Sequence, residues 1–285
     1  MLLLLMLGAI SCSDALNPNT EESDLEFLDS MTSALISSEQ GEVNGNGIFM
    51  LNWSAINPRF TDENEKLAMA MAIGFDDEIS LQPPYNISTV DMGRVTIRSA
   101  DNQTVELSKQ SSRFSGEHLV YSYRSFGPFQ RNASLSFDAG EEYRIQTSGS
   151  DVFPSLNLAV TAPDKQVSIL TPSDSKLYNH SGDLVLTWDA IPGKPVGIHI
   201  RPAINPREGQ KPGRFNREES EMIILEDQNG TYTVSEESLL EIAGNSDLNA
   251  VQISVGQLHV DDVESDGKTY RVIMRSADHR LIDLN

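Results

Sequence analysis

Two stretches of this chain share one frame, and that frame restricts the fold more than any other feature. Phe49-Met50-Leu51-Asn52-Trp53-Ser54-Ala55-Ile56 matches Leu184-Val185-Leu186-Thr187-Trp188-Asp189-Ala190-Ile191. Both tryptophans of the protein hold the same place in it, with apolar residues two and four positions before. Alternation with period two marks a strand with one buried face. Later, Gly140-Glu141-Glu142-Tyr143-Arg144-Ile145 matches Gly267-Lys268-Thr269-Tyr270-Arg271-Val272, at a similar distance behind each tryptophan. Two related units explain the double match economically. Chance recurrence of short β patterns is the competing reading.

The remaining patterning is β-rich as well. In Leu67 to Phe75, large and small residues alternate strictly. Ala, Leu and Met favour helices, but the alternation predicts a strand with its large side chains inward. Arg94 to Ser99 and Thr104 to Ser108 form a hairpin pattern around Asp101-Asn102. Leu119 to Tyr123, Ala133 to Phe137 and Val152 to Thr161 read as strands of the first unit. In the second, strands are expected at Val167 to Leu170, Asp183 to Trp188, Val196 to Ile200, Met222 to Leu225, Thr231 to Val234, Val251 to Val260 and Tyr270 to Met274. A helical turn is expected near Glu236 to Ile242.

These residues resemble the immunoglobulin-like and fibronectin type III sandwiches. Leu184 to Gly193 is similar to the type III strand whose Trp enters the core, and Asp266 to Ser276 to a later strand with a core Tyr. The resemblance implies two tandem antiparallel β-sandwiches, at 42–163 and 164–285, each of seven or more strands. Each copy is longer than a standard domain of about 100 residues, so extra loops or strands are expected. Ala162-Pro163-Asp164 makes a short joint, which favours stiff end-to-end stacking.

Ahead of the sandwiches, Met1 to Ile10 is an almost unbroken apolar run, followed by Ser11 and Cys12, the only cysteine. The run is too short to span a bilayer, which takes roughly 20 apolar residues, and reads as a signal peptide over 1–11. Ala9-Ile10-Ser11-Cys12 resembles the lipobox of bacterial lipoproteins. The resemblance implies that Cys12 is lipidated and becomes the new N-terminus. With Ser13 and not aspartate behind it, the common sorting rule implies delivery to the outer membrane or cell surface. Plain secretion is the alternative. A single cysteine leaves an exported chain no internal disulfide to form, and lipidation gives it a use.

Residues 12–41 read as an acidic tether. Ser13 to Gly45 holds Asp14, Glu21, Glu22, Asp24, Glu26, Asp29, Glu39 and Glu42 and no Lys or Arg. Ser23 and Glu26 form a capping box. Leu25, Leu28, Met31 and Leu35 then share one face of an expected short amphipathic helix, about Asp24 to Ser38. That face docks a partner or the neighbouring domain, or the segment is only transiently helical.

The net charge of −21 argues against nucleic acid as a partner. The one basic stretch is a Pro- and Gly-rich loop with Arg201, Arg207, Lys211, Arg214 and Arg217. It is a candidate for binding an anionic partner, a protein, an acidic glycan or a lipid headgroup, or else a solvated loop that balances local charge or touches the acidic tether. Tyr121, Tyr123, Phe126 and Phe129 form the densest aromatic patch, suited to sugar stacking or to a core. His118, His180, His199, His259 and His279 have no zinc-ligand spacing, so no metal is expected. Asp262, Glu264, Asp266 and Gly267 imitate a calcium loop, but Ile273 stands where the bidentate Glu belongs, and a hairpin turn is expected instead. Six Asn-x-Ser/Thr sequons include Asn52. No nucleophile elbow or phosphate loop is present, and no cofactor is expected. The expectation is a non-catalytic binding, adhesion or scaffolding lipoprotein of the bacterial envelope. A loop-built hydrolase and a glycan-binding surface lipoprotein are the alternatives.

Overall fold

The computed structural model describes residues 44–55, 66–80, 89–112, 118–125, 135–173, 177–203, 220–226, 230–244 and 249–284. The expected signal, Cys12 and the tether helix lie outside them. The described residues form β1 (Asn44–Ala55), β2 (Lys66–Ser80), β3 (Val95–Arg98), β4 (Thr104–Ser112), β5 (His118–Arg124), β6 (Glu142–Thr147), β7 (Leu156–Thr161), β8 (Ser168–Thr171), β9 (Leu177–Asn179), β10 (Leu184–Asp189), β11 (Val196–Pro202), β12 (Glu221–Leu225), β13 (Thr231–Val234), α1 (Glu236–Ala243), β14 (Ala250–Ser265) and β15 (Lys268–Asp283). The fold is all-β and sandwich-like, with sheets that do not close.

One sheet runs through the molecule in the order β12-β11-β14-β15-β1-β2-β5-β4-β3-β6-β7, with β9 also on β15. It folds over on itself at β4. Residues 108–112 of that strand pair with β5, while residues 104–107 pair with β3. A strand that changes layers in this way makes the corner of a sandwich. A separate sheet, β13-β10-β8, faces the other end.

Two cores result. The first gathers Phe49, Leu51 and Trp53 of β1, Val95, Ile97, Tyr121, Tyr143, Ile145 and Leu158. The second gathers Ile169, Leu186, Trp188, Ile198, Ile200, Leu239 and Ile253. Helix α1 closes part of it. Ser235 caps the helix by accepting from the Ser238 amide, Glu236 and Glu237 lie in its first turn, and Leu239, Ile242 and Ala243 are buried.

The C-terminal hairpin serves both cores. Asp266 and Gly267 make its two-residue turn with φ of 52° and 73°, the positive pair that a tight hairpin of this twist requires. The calcium-like acids thus sit on a hairpin, as expected. Both strands run 16 residues, well beyond the segments the sequence pattern marked. Tyr270, Val272 and Met274 of β15 enter the first core, and Ile282 of the same strand enters the second. The tyrosine of the second sequence copy therefore packs with Phe49 and Phe153 of the first unit, not with Trp188. The fold also departs from a purely antiparallel sandwich: β15 pairs in parallel with β1 and with β9.

Several local expectations hold and others shift. Lys66 to Ser80 is a strand, and β3–β4 is the expected hairpin. Leu135 to Phe137 is not a strand. Its backbone is engaged by side chains: Trp53 Nε1 donates to the Leu135 carbonyl at 3.0 Å, and Tyr143 Oη donates to the Ser136 carbonyl and accepts from the Asp138 amide. In Val152 to Thr161 the strand starts only at Leu156, because Ser150 Oγ takes the amides of Val152 and Phe153 into a turn. In β2 the direction of the side chains is reversed from expectation. Ala68, Ala70 and Ala72 face the core at 1–3% exposure, and Met69, Met71 and Ile73 face away. The inner positions stand opposite Trp53, Leu51 and Phe49 of β1 and, at Ala70 and Ala72, Tyr123 and Tyr121 of β5. Only alanine leaves room for that aromatic layer.

Candidate functional site

Strand register places a second ordered surface on the opposite face of the long sheet. Its cross-strand rows are Asp262–Arg271–Ile48–Ile73, then Val260–Ile273–Met50–Met71, then Leu258–Arg275–Asn52–Met69. Towards the second core come Ile224–Gly197–Gly256–Ala277 and Met222–His199–Ser254–His279. An apolar, methionine-bearing row thus lies between the Asp262–Arg271 pair on one side and Arg275 with the His199 and His279 row on the other.

Several polar residues of this face are buried. Arg275 is 1% exposed, Arg271 3%, His199 7%, His279 8% and Gln252 8%. Arg271 is held by Asp262 in a two-pronged pair, Nε to Oδ1 at 2.7 Å and Nη2 to Oδ2 at 2.6 Å, the strongest geometry an arginine can make with a carboxylate. Ser254 Oγ and His279 Nδ1 share one hydrogen bond of 2.7 Å. Asn52 pairs with Ser54 at 2.0% exposure, so this sequon lies inside the fold. Burial pushes His279 and His199 down to about 3, and Arg201 and Arg275 add to the effect in both. Both imidazoles are neutral at pH 7. Burial also lowers Arg275 to about 10, which leaves its guanidinium charged.

Of the basic residues singled out by sequence, Arg201 lies on this face, half-buried on β11, with its Nη2 on Gln252 Oε1 at 3.1 Å. Arg207, Lys211, Arg214 and Arg217 lie outside the described residues, as do Phe126 and Phe129. Tyr121 and Tyr123 of the aromatic patch are buried in the first core at 1% and 4%. The Tyr121 hydroxyl donates to Asp91, which Lys109 also pairs with at 2.6 Å. Those partners hold the Asp91 carboxyl down to about 2. Among the described residues, no group of three or more His, Cys, Asp and Glu stands close enough to hold a metal.

Sequence reading missed that Arg271, Arg275, His199 and His279 stand on one sheet face. The signal was period two carried past Met274: Arg271, Ile273, Arg275, Ala277 and His279 share one face only if the strand continues through a polar run. Chemically, the arrangement offers fixed positive charge and neutral imidazoles beside an apolar shelf. It suits a carboxylate-bearing amphipathic segment better than a small ligand.

The class defined so far is an all-β, sandwich-like protein with a buried cation–histidine cluster on one sheet face. Compared with protein-family models and with curated proteins, the chain matches none.

Proposed function

We propose that this protein is a lipid-anchored component of the bacterial cell envelope, at the outer membrane or cell surface, that works by binding or scaffolding and not by catalysis. The observation that carries the reading is the apolar run Met1 to Ile10 ending at Cys12, the sole cysteine. Acyl chains on Cys12 would supply the membrane contact, at about 0.8 kcal/mol per buried CH₂. A net charge of −21 keeps the body off an anionic surface, which suits a protein held out on a tether.

The body comprises, on this reading, two immunoglobulin-like units in tandem. For the first unit the support is specific. Trp53 lies 5.6 Å from Tyr143, and the Tyr143 hydroxyl bonds backbone five and seven residues upstream, as in the tyrosine corner of immunoglobulin-like domains. For the second, Trp188 is buried beside Leu186 in its own core, but β15 is shared between the two units. A binding or scaffolding role rests on fold-level analogy.

Expression of the full chain and of Cys12→Ser in a didermal bacterium tests the anchor. The wild type is expected in the membrane fraction with the added mass of acyl chains, and the variant in the soluble fraction. Both forms soluble, at unmodified mass, would overturn the reading.

A further inference from the structure

The outer face of the long sheet carries an apolar cluster, and no described element is layered over it. Leu258 and Ile273 are each 2% exposed, Arg275 1% and Met50 7%. Yet the described elements that pack against this sheet lie on its other face: β3, β6 and β7 around the first core, β8, β10, β13 and α1 around the second. Met222 and Ile224 of β12 pack on the edge of this apolar patch.

We infer that the acidic tether docks there, with residues 24–38 lying across the outer face of β1, β15 and β14. Three observations single it out. First, attachment: residue 38 is six residues from Asn44, where β1 begins in the middle of the sheet. A short link of that kind gives an effective local concentration in the millimolar range. Second, shape: Leu25, Leu28, Met31 and Leu35 form one apolar stripe, and the shelf below offers Ile48, Met50, Met71, Leu258, Val260 and Ile273. As a helix, fifteen residues would reach roughly 22 Å, about the width of five strands. Third, charge: the face carries Arg124, Arg201, Arg271 and Arg275 against Asp262 and Glu264, and the tether carries acids and no base. The longest of the other segments outside the described residues, 204–219, contributes Arg207, Lys211, Arg214 and Arg217, of the same sign as the face. A second copy would set cation against cation.

The docking stands whether or not Cys12 is acylated, but it changes what an anchor would do. With the tether free, 32 residues separate Cys12 from β1, a reach of about 110 Å. With residues 24–38 docked, only the link from Cys12 to Asp24 is loose, about 40 Å. The body is then held closer to the membrane.

Peroxide footprinting of the full chain, read by mass spectrometry, tests the proposal. The variant Leu25→Asp/Leu28→Asp/Leu35→Asp should raise oxidation of Met50 about tenfold. Met92 and Met274, 0% and 1% exposed on the core side, should not change. Unchanged Met50 overturns the proposal. If Met92 rises too, the sandwich has opened, and a disulfide trap decides. In a Cys12→Ser background, Leu28→Cys/Met71→Cys should close within one chain at high dilution. Leu28→Cys/Val185→Cys should not, since Val185 is 47% exposed on the separate β13-β10-β8 sheet. No Leu28–Met71 bridge, a bridge only between chains, or equal bridging to Val185 overturns the docking.

Discussion

The two faces of β15 bury charge in different ways. On the core face, Arg280 is fully used. Its Nε donates to the Pro172 carbonyl at 2.8 Å, one Nη to Asp278 and the His279 carbonyl, and the other to the Ile169 carbonyl. Asp278 in turn accepts from the Ile169 amide at 2.8 Å. This clamp ties β8 of the small sheet to the long one. On the outer face, Arg275, His199 and His279 gather with Arg201 in a zone where like charges face one another, and the imidazoles answer by staying neutral. The first arrangement fixes geometry through neutral carbonyls and one carboxylate. The second is sensitive to its protonation state and to whatever lies on top of it.

The largest expected effect separates the two by pH. His199 and His279 sit at about 3 in the fold, against about 6.5 when unfolded. A depressed folded value means the unfolded chain takes up more protons below 6.5. The stability these residues allow is complete above 6.5 and is lost as pH falls towards 3. Two such groups give a slope of up to about 2.7 kcal/mol per pH unit. Asp91, held at about 2, adds its own loss only below the ordinary carboxylate range near 3.9. Urea midpoints at pH 7 and pH 5 should therefore fall clearly in the wild type, and His279→Gln should remove about half of the drop. An equal drop in the variant would show that the outer cluster does not set the acid limit.

Next in size is the clamp. Arg280→Ala leaves Asp278 and the carbonyls of Ile169 and Pro172 buried without their cation, which costs about 3–5 kcal/mol. Denaturant unfolding measures it. A loss below about 1 kcal/mol would mean that β8 is held by apolar packing alone.

The sequence carried the strands well where alternation and turn residues agreed, as in β3–β4 and the Asp266–Gly267 hairpin. It carried the partnership of strands poorly. Nothing local in Phe49 to Trp53 says that β1 pairs in parallel with residues 270–277, because that contact is set by which long strand lies free at the sheet's middle. The same limit hid the cluster: Arg275, Asp278, His279 and Arg280 read as a polar tail until the register shows them divided between two buried faces. Of the candidate basic residues, Arg201 is the one within the described residues, and the loop argument that singled it out gives way to strand β11.

The direction of β2 shows why alternation alone does not decide which face is the core. Large residues inward was the natural expectation for Leu67 to Phe75, yet the core already holds Trp53, Tyr121 and Tyr123, and the space left across from them fits alanine. The two faces can be set against each other directly. Ala70→Leu drives a branched side chain into the layer between Leu51 and Tyr123 and should cost about 1–3 kcal/mol by overpacking. Met71→Leu, one residue on and facing outward beside Met50, keeps its volume and should cost under about 1.5 kcal/mol. Thermal unfolding of the two variants checks the order. If Met71→Leu proved the more costly, the large side chains would be the ones packed tightly, and the aromatic layer of the first core would have to lie on the other side of β2.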